Sequence, residues 1–299
     1  MMDRRFLVLS SSSSVKRAGE RIVIRSASKS YGVPIRYLDV VVVIGKVNFS
    51  GEALHLLLVN NVPVFFCSLG GRIRASLVSH EYMSKHNNRL IQYEAYKTRR
   101  LEVARFVVLS KLRSIAKEFG IDTGDLCAQI DSSQSVEHLM GIEGRASREM
   151  FRALSQSIEG KGLDFRSREY RPPPDPVNAL LSLAYTFGYM LAFPLVNFFG
   201  YDPYISFLHS KRGSHASFCS DVLEFARAYI TKEVGRAIVL GVFSQEDFNR
   251  SRKGVFLKRD KLGKFVSWFE SIKDRAVSLL KEGVLSVGEV MKDEVRCVL

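Results

Sequence analysis

Residues 81–120, EYMSKHNNRLIQYEAYKTRRLEVARFVVLSKLRSIAKEFG, separate two kinds of sequence. No Gly or Pro occurs before Gly120, and Leu90, Tyr93, Leu101, Ala104, Val108, Leu112, Ile115 and Phe119 recur at helical spacing. That spacing collects apolar side chains on one helix face. It predicts one helix of about 35 residues, roughly 50 Å long. Gly120 supplies its stop, because glycine accepts the left-handed backbone that ends a helix.

Upstream the pattern is different. Short apolar runs at 6–9, 22–24, 38–44, 62–66 and 73–78 are mostly separated by Gly, Ser or Asn, which predicts strands. Ser50 reads as the N-cap of a short helix carrying Leu54, Leu57 and Leu58 and ending near Asn60 and Asn61. Gly70-Gly71 marks a tight turn, and the serine run at 10–14 a polar turn. Downstream, helices are expected at about 135–159, 176–199, 220–241, 245–248 and 261–281. The fold class is therefore α+β: a small N-terminal β domain, 1–79, followed by a larger all-α domain, 80–299.

Composition limits what such a chain can be. Of 299 residues, 46% are hydrophobic and 20 are Phe, which excludes disorder as the main state and requires a core. The net charge is +13, which favours a polyanionic partner, either nucleic acid or an anionic membrane. Residues 1–79 hold 11 Lys/Arg against 4 Asp/Glu, so the β part is the denser in positive charge. Cys67, Cys127, Cys219 and Cys297 form no CxxC pair and read as free thiols of a reducing cytoplasm. No secretory signal is expected at the start. Residues 177–200 are long and apolar enough to span a bilayer, but Asn178, Ser182 and Thr186 make a polar stripe, and Pro194 and Asn197 interrupt the end. A buried helix of a soluble core is the expectation, with no membrane partner.

Three segments carry possible chemistry. Gly141-Ile142-Glu143-Gly144-Arg145-Ala146 lies inside a helical pattern. Each interior glycine costs about 1 kcal/mol against alanine. Two of them flanking Glu143 admit either helix packing through small residues or close approach of a backbone or phosphate. His209 follows the apolar stretch 201–208. Asp221 and Glu224 share one helix face at i,i+3. Two carboxylates and an imidazole suit Mg²⁺ or Mn²⁺. Arg145, Arg148, Lys211 and Arg212 stand near these acids, and a further basic run lies at 250–264. A carboxylate–metal site ringed by cations suits phosphodiester chemistry, although solvated charge explains each run equally well.

Read in order, LMGIEGRASREMF (139–151), RPPPDPVNALLSLAY (171–185), DPYISFLH (202–209) and SDVLEFAR (220–227) resemble the CRISPR-associated integrase/endonuclease that inserts new spacers into CRISPR arrays, the universal first Cas protein family. NNVPVFFCSLGGRIRASL (60–77) and residues 89–92 fit the same family. The resemblance covers essentially the whole chain.

It implies a β-rich dimerisation domain joined to a helical catalytic domain, a homodimer through the β domains, and metal-dependent cleavage and strand transfer on DNA that is double-stranded, branched or bears free 3′ ends. The catalytic and metal-binding positions fall on Glu143, His209 and Asp221, with Glu224 as a further metal ligand. Arg145, Arg148, Lys211 and Arg212 are the expected DNA contacts. Mg²⁺ or Mn²⁺ is the implied cofactor, the small ferredoxin-like second Cas protein the implied partner, and the prokaryotic cytoplasm the setting. The sequence departs from the family pattern at Ala228 after Arg227, at Cys219 and Ser220, and in the additional His215. A non-catalytic nucleic-acid scaffold is the alternative reading, and a peripheral membrane protein the third.

Overall fold

The computed structural model describes residues 5–10, 13–26, 30–67, 73–80, 86–169, 172–210, 215–252 and 254–292. It divides into two compact units, Met1–Arg89 with Phe193–Tyr201, and Leu90–Ala192 with Asp202–Leu299. The first unit thus contains the whole expected β domain, the first turn of a helix beyond it, and a returning segment.

In the first unit, β1 (Arg5–Ser10), β5 (Leu38–Ile44), β7 (Val64–Cys67) and β8 (Ile73–Leu77) form one sheet in the order β1-β5-β7-β8. The pairs β1–β5 and β5–β7 are parallel, and β7–β8 is antiparallel. A second sheet runs β4 (Ser30–Pro34), β3 (Arg21–Arg25), β2 (Ser13–Ala18) and β6 (Val47–Phe49). β5 is the near-continuous valine run, as expected of a strand buried on both faces. Its Val41 and Val43 join Leu9, Val15, Ile22, Ile24 and Val64 in one core with Ala53, Leu56 and Leu57 of α1 (Gly51–Val59). The Ser50 hydroxyl caps α1 by accepting the Ala53 N–H at 3.2 Å, as expected.

The serine run corrects its expectation, since Ser13 and Ser14 open β2 instead of a turn. β4 and β6 also went unanticipated; β4, SYGVP, is too short and too polar to give an alternating signal. Gly70 and Gly71 lie outside the described residues.

The long helix expected over 81–119 is two helices, α2 (His86–Thr98) and α3 (Arg100–Phe119). Arg99 breaks the run with φ −133° and ψ 20°, and its guanidinium donates to Glu102 at 2.9 Å and 2.5 Å. Apolar periodicity continues across the break, so the sequence does not reveal it. Gly120 ends α3 at φ 67°, as expected. α4 (Gly124–Asp131), α5 (Val136–Ser157), α6 (Pro176–Phe198), α7 (Ser217–Val239) and α8 (Leu262–Met291) follow.

The fold is α+β, but the C-terminal part is not all-α. Gln245–Asp247 is a short 3₁₀ turn that leads into a hairpin, β9 (Phe248–Ser251) and β10 (Gly254–Leu257). The hairpin is anchored where the Val255 N–H donates to the Pro173 carbonyl at 2.8 Å.

α7 is the central helix, buried along most of its length. Glycines let its neighbours approach closely. A Cβ on Gly188 of α6 would lie 2.8 Å from Leu223, and one on Gly283 of α8 would lie 2.7 Å from the Phe225 ring. α6 is long and apolar enough to cross a membrane, yet 72% of its most apolar window is buried inside the protein. Cys67 and Cys219 are buried free thiols, and burial pushes the Cys67 thiol up to about 12. Cys297 lies outside the described residues.

Candidate active site

The site is assembled by three helices and one loop of the second unit. α7 contributes Asp221 and Glu224, both fully buried. α5 contributes Glu143, and α3 contributes Lys111, which is also fully buried. The loop 202–209 contributes His209.

Asp221 organises that loop. Its Oδ2 accepts the backbone N–H groups of Phe207 at 2.7 Å and Leu208 at 3.1 Å. Its Oδ1 accepts the His209 N–H at 3.0 Å and lies 2.8 Å from the His209 Nδ1. The loop is also held from α2 and α3. Gln92, fully buried, donates to the Asp202 and Ile205 carbonyls at 3.0 and 2.7 Å and accepts the Asp202 N–H at 2.7 Å. Arg100 Nε donates to the Phe207 carbonyl at 3.2 Å.

With Nδ1 committed to Asp221, the other imidazole nitrogen, Nε2, faces Glu224 Oε1 at 3.6 Å. Burial lowers the His209 pKa, but the Asp221 hydrogen bond and the charges of Asp221 and Glu224 outweigh it and raise the pKa overall.

Lys111 joins the two glutamates. Its ammonium pairs with Glu143 Oε1 and, at 2.7 Å, with Glu224 Oε2. Glu143 Oε1 also accepts the Ser147 hydroxyl at 2.8 Å. Arg227 reaches Glu224 Oε1 at 3.2 Å and lies over the Tyr185 ring at 4.9 Å. Burial alone would raise the Glu224 pKa; Arg227, Lys111 and His209 overcome it and hold the carboxyl at about 2. The two Glu224 oxygens are buried and are held by the ion pairs from Lys111 and Arg227.

Of the residues expected from sequence, Asp221 and His209 are in direct contact, and Glu224 joins them through His209. Glu143 reaches the cluster through Lys111. Among the described residues no group of three or more His, Cys, Asp or Glu side chains is arranged to hold a metal ion as it stands. Lys111 was missed by the sequence reading. Its signal was available: it lies in the buried stripe of α3 that includes Val107, Val108, Leu112 and Ile115, where a charge calls for a partner.

Glu143 and Arg227 also border a cleft of about 950 Å³, lined further by Gly144, Phe151, Arg148, Arg152 and Arg166. A Cβ on Gly141 would meet nothing within 4 Å, and one on Gly144 only the Arg148 guanidinium at 3.9 Å. The glycines therefore do not pack helices together; they leave open space beside Glu143. Arg148 lines the cleft, whereas Arg145 donates to Gln129 Oε1 at 2.6 Å. Lys211 and Arg212 lie outside the described residues. His215 stacks on Tyr189 with ring centroids 4.9 Å apart and lies 2.8 Å from the Ser220 hydroxyl.

The order of a strand-rich N-terminal region before a helical region matches that of a solved Cas1 protein. The structure of a Cas1 protein from Thermotoga maritima superposes with a TM-score of 0.80 at 21% identity, covering 97% of this chain and 98% of that one. A casposase bound to integration product superposes at 0.69 with 19% identity, covering 98% and 97%. The family model described as CRISPR associated protein Cas1 matches residues 6–271, and the chain belongs to that family. A relative from Thermus thermophilus, named CRISPR-associated endonuclease Cas1 1, is 29% identical over 85% of this chain and 81% of its own. A CRISPR-associated endonuclease Cas1 from Methanopyrus kandleri is 32% identical over 73% and 71%.

Proposed function

We propose that this chain is a divalent-metal-dependent DNA endonuclease and integrase that cuts and joins phosphodiesters as new spacers enter CRISPR arrays. The observation that carries the reading is the convergence of Glu143 and Glu224 on one buried ammonium, with the His209 imidazole facing Glu224, beside an arginine-lined cleft. The naming of relatives as endonucleases supports it.

The donor set fits Mg²⁺ or Mn²⁺. Two carboxylates supply hard oxygen ligands, the imidazole adds one borderline nitrogen, and Glu224 is fully buried and held ionised beside it. Glu143, Glu224 and His209 Nε2 would hold the ion. Asp221, expected as a ligand from the sequence, takes a different part in this reading. Its oxygens already serve three backbone N–H groups and the His209 ring, so it fixes the imidazole from behind. When bound, the ion would neutralise charge on the phosphate oxygens and activate a hydroxyl, that of water in nicking or of a DNA 3′ end in joining.

The chain's own residues supply the rest. Arg148, Arg152 and Arg166 are placed along the cleft to pair with backbone phosphates, as guanidinium groups do well. Arg145, Lys211 and Arg212 are further proposed contacts. Arg227 keeps Glu224 ionised, and Gln92 and Arg100 hold the His209 loop in place.

The substrate is double-stranded DNA, branched or with free 3′ ends. The +13 net charge supports that partner, as does a neighbour solved as a Cas1–DNA complex. A second copy of the chain, through the β-rich unit, and the small second Cas protein are the proposed protein partners. Neighbours solved as Cas6-RT-Cas1–Cas2 complexes support the latter. The prokaryotic cytoplasm is the proposed setting.

Glu143→Ala tests the reading on a branched DNA substrate with Mn²⁺ supplied. Nicking and joining should fall by at least about a hundredfold, some 3 kcal/mol of barrier, while the protein remains folded by circular dichroism. Retained activity would remove Glu143 from the chemistry. Intact DNA binding without any metal-dependent nicking by the wild-type protein would favour a non-catalytic scaffold.

A further inference from the structure

Lys111 is a fully buried lysine on an otherwise apolar helix face. Its ammonium meets acids from two other helices, Glu143 of α5 and Glu224 of α7. A buried charge is tolerated when it is paired, and here three helices converge on one such pairing. The ammonium lies 2.7 Å from Glu224 Oε2 and also donates to Glu143 Oε1, so a single buried cation serves both carboxylates. A divalent cation held by the same two carboxylates would adjoin or displace that ammonium, and like charges a few ångströms apart repel.

We propose that Lys111 is a positioning residue, a built-in counter-ion that keeps Glu143 and Glu224 facing one another in the metal-free protein and weakens the hold of the site on its divalent cation. The inference rests on the reading of these two glutamates as ligands. It would keep two carboxylates side by side before an ion arrives, and it would make release of the ion easier than the donor set alone would dictate.

Lys111→Met keeps the length of the side chain and removes its charge. Two measurements on the full chain decide the matter: the melting temperature in chelator, and Mn²⁺ binding by titration calorimetry. Lys111→Met should melt lower than wild type in chelator, gain more from added Mn²⁺, and bind Mn²⁺ at least about tenfold more tightly. The double variant Lys111→Met/Glu224→Gln, which removes the carboxylate left uncompensated, should recover much of the metal-free loss.

Equal Mn²⁺ affinity in wild type and Lys111→Met overturns this proposal alone. So does a metal-free loss that Glu224→Gln does not relieve, which would make the lysine a packing element. No Mn²⁺ uptake by either protein overturns this proposal and the metal reading together. If Lys111→Met does not fold, the double variant is compared with Glu224→Gln alone. A small difference in melting temperature then supports the proposal and a large one overturns it.

Discussion

Asp221 shows how one carboxylate can fix both an imidazole and the loop that carries it. Its two oxygens collect the N–H groups of three consecutive residues, Phe207, Leu208 and His209, and then the His209 ring. Asp221→Asn would turn an amide NH₂ toward at least one of those donors. The expected result is a loss of about 10- to 100-fold in nicking rate, the usual cost of removing a group that orients a metal-binding histidine. The measurement is the Mn²⁺-dependent nicking rate beside that of wild type, and a rate within twofold of wild type would rule out the orienting role. The acids and the histidine were legible in the sequence through the family motifs that carry them, since residue type and spacing alone left a solvated face and a structural histidine open. Their division of labour was not, because spacing along a helix does not say which carboxylate the backbone will claim. Lys111 was harder still: its partners lie 32 and 113 residues away, and only the packing of α3 against α5 and α7 brings them together.

At the scale of elements, α7 depends on how closely its neighbours approach. Gly283 on α8 sits where any Cβ would fall 2.7 Å from the Phe225 ring, a side chain one position beyond Glu224. Gly283→Val should therefore destabilise the protein by roughly 2 kcal/mol through overpacking, well beyond the small gain in helix propensity. Thermal melting in chelator measures it, and an unchanged midpoint would show that α8 can shift away freely. The sequence revealed most helices and the central valine strand, because burial writes itself as periodicity. It concealed the break at Arg99, where the apolar spacing runs on, and the hairpin at 248–257, which is short and half polar. β2 was hidden for a related reason: serine is a poor marker of strands, and Ser13 is buried by its neighbours in the sheet.

For the whole molecule, the excess of 44 Lys/Arg over 31 Asp/Glu should govern how DNA is held. With roughly five phosphate contacts, affinity would fall about 500-fold between 50 and 200 mM salt through counterion release. Fluorescence anisotropy on duplex DNA measures the slope, and a flat response would place the basic surface outside the DNA interface. The two bare positions on α5 bear on the same substrate. Alanine at Gly141 or Gly144 would strike nothing and would strengthen the helix by about 1 kcal/mol. The chain forgoes that reinforcement at both positions, and one of them, Gly144, lines the cleft. On the proposed reading, a bulky polymer passing Glu143 needs clearance that a mononucleotide does not, and the missing methyl group of Gly144 would supply some of it.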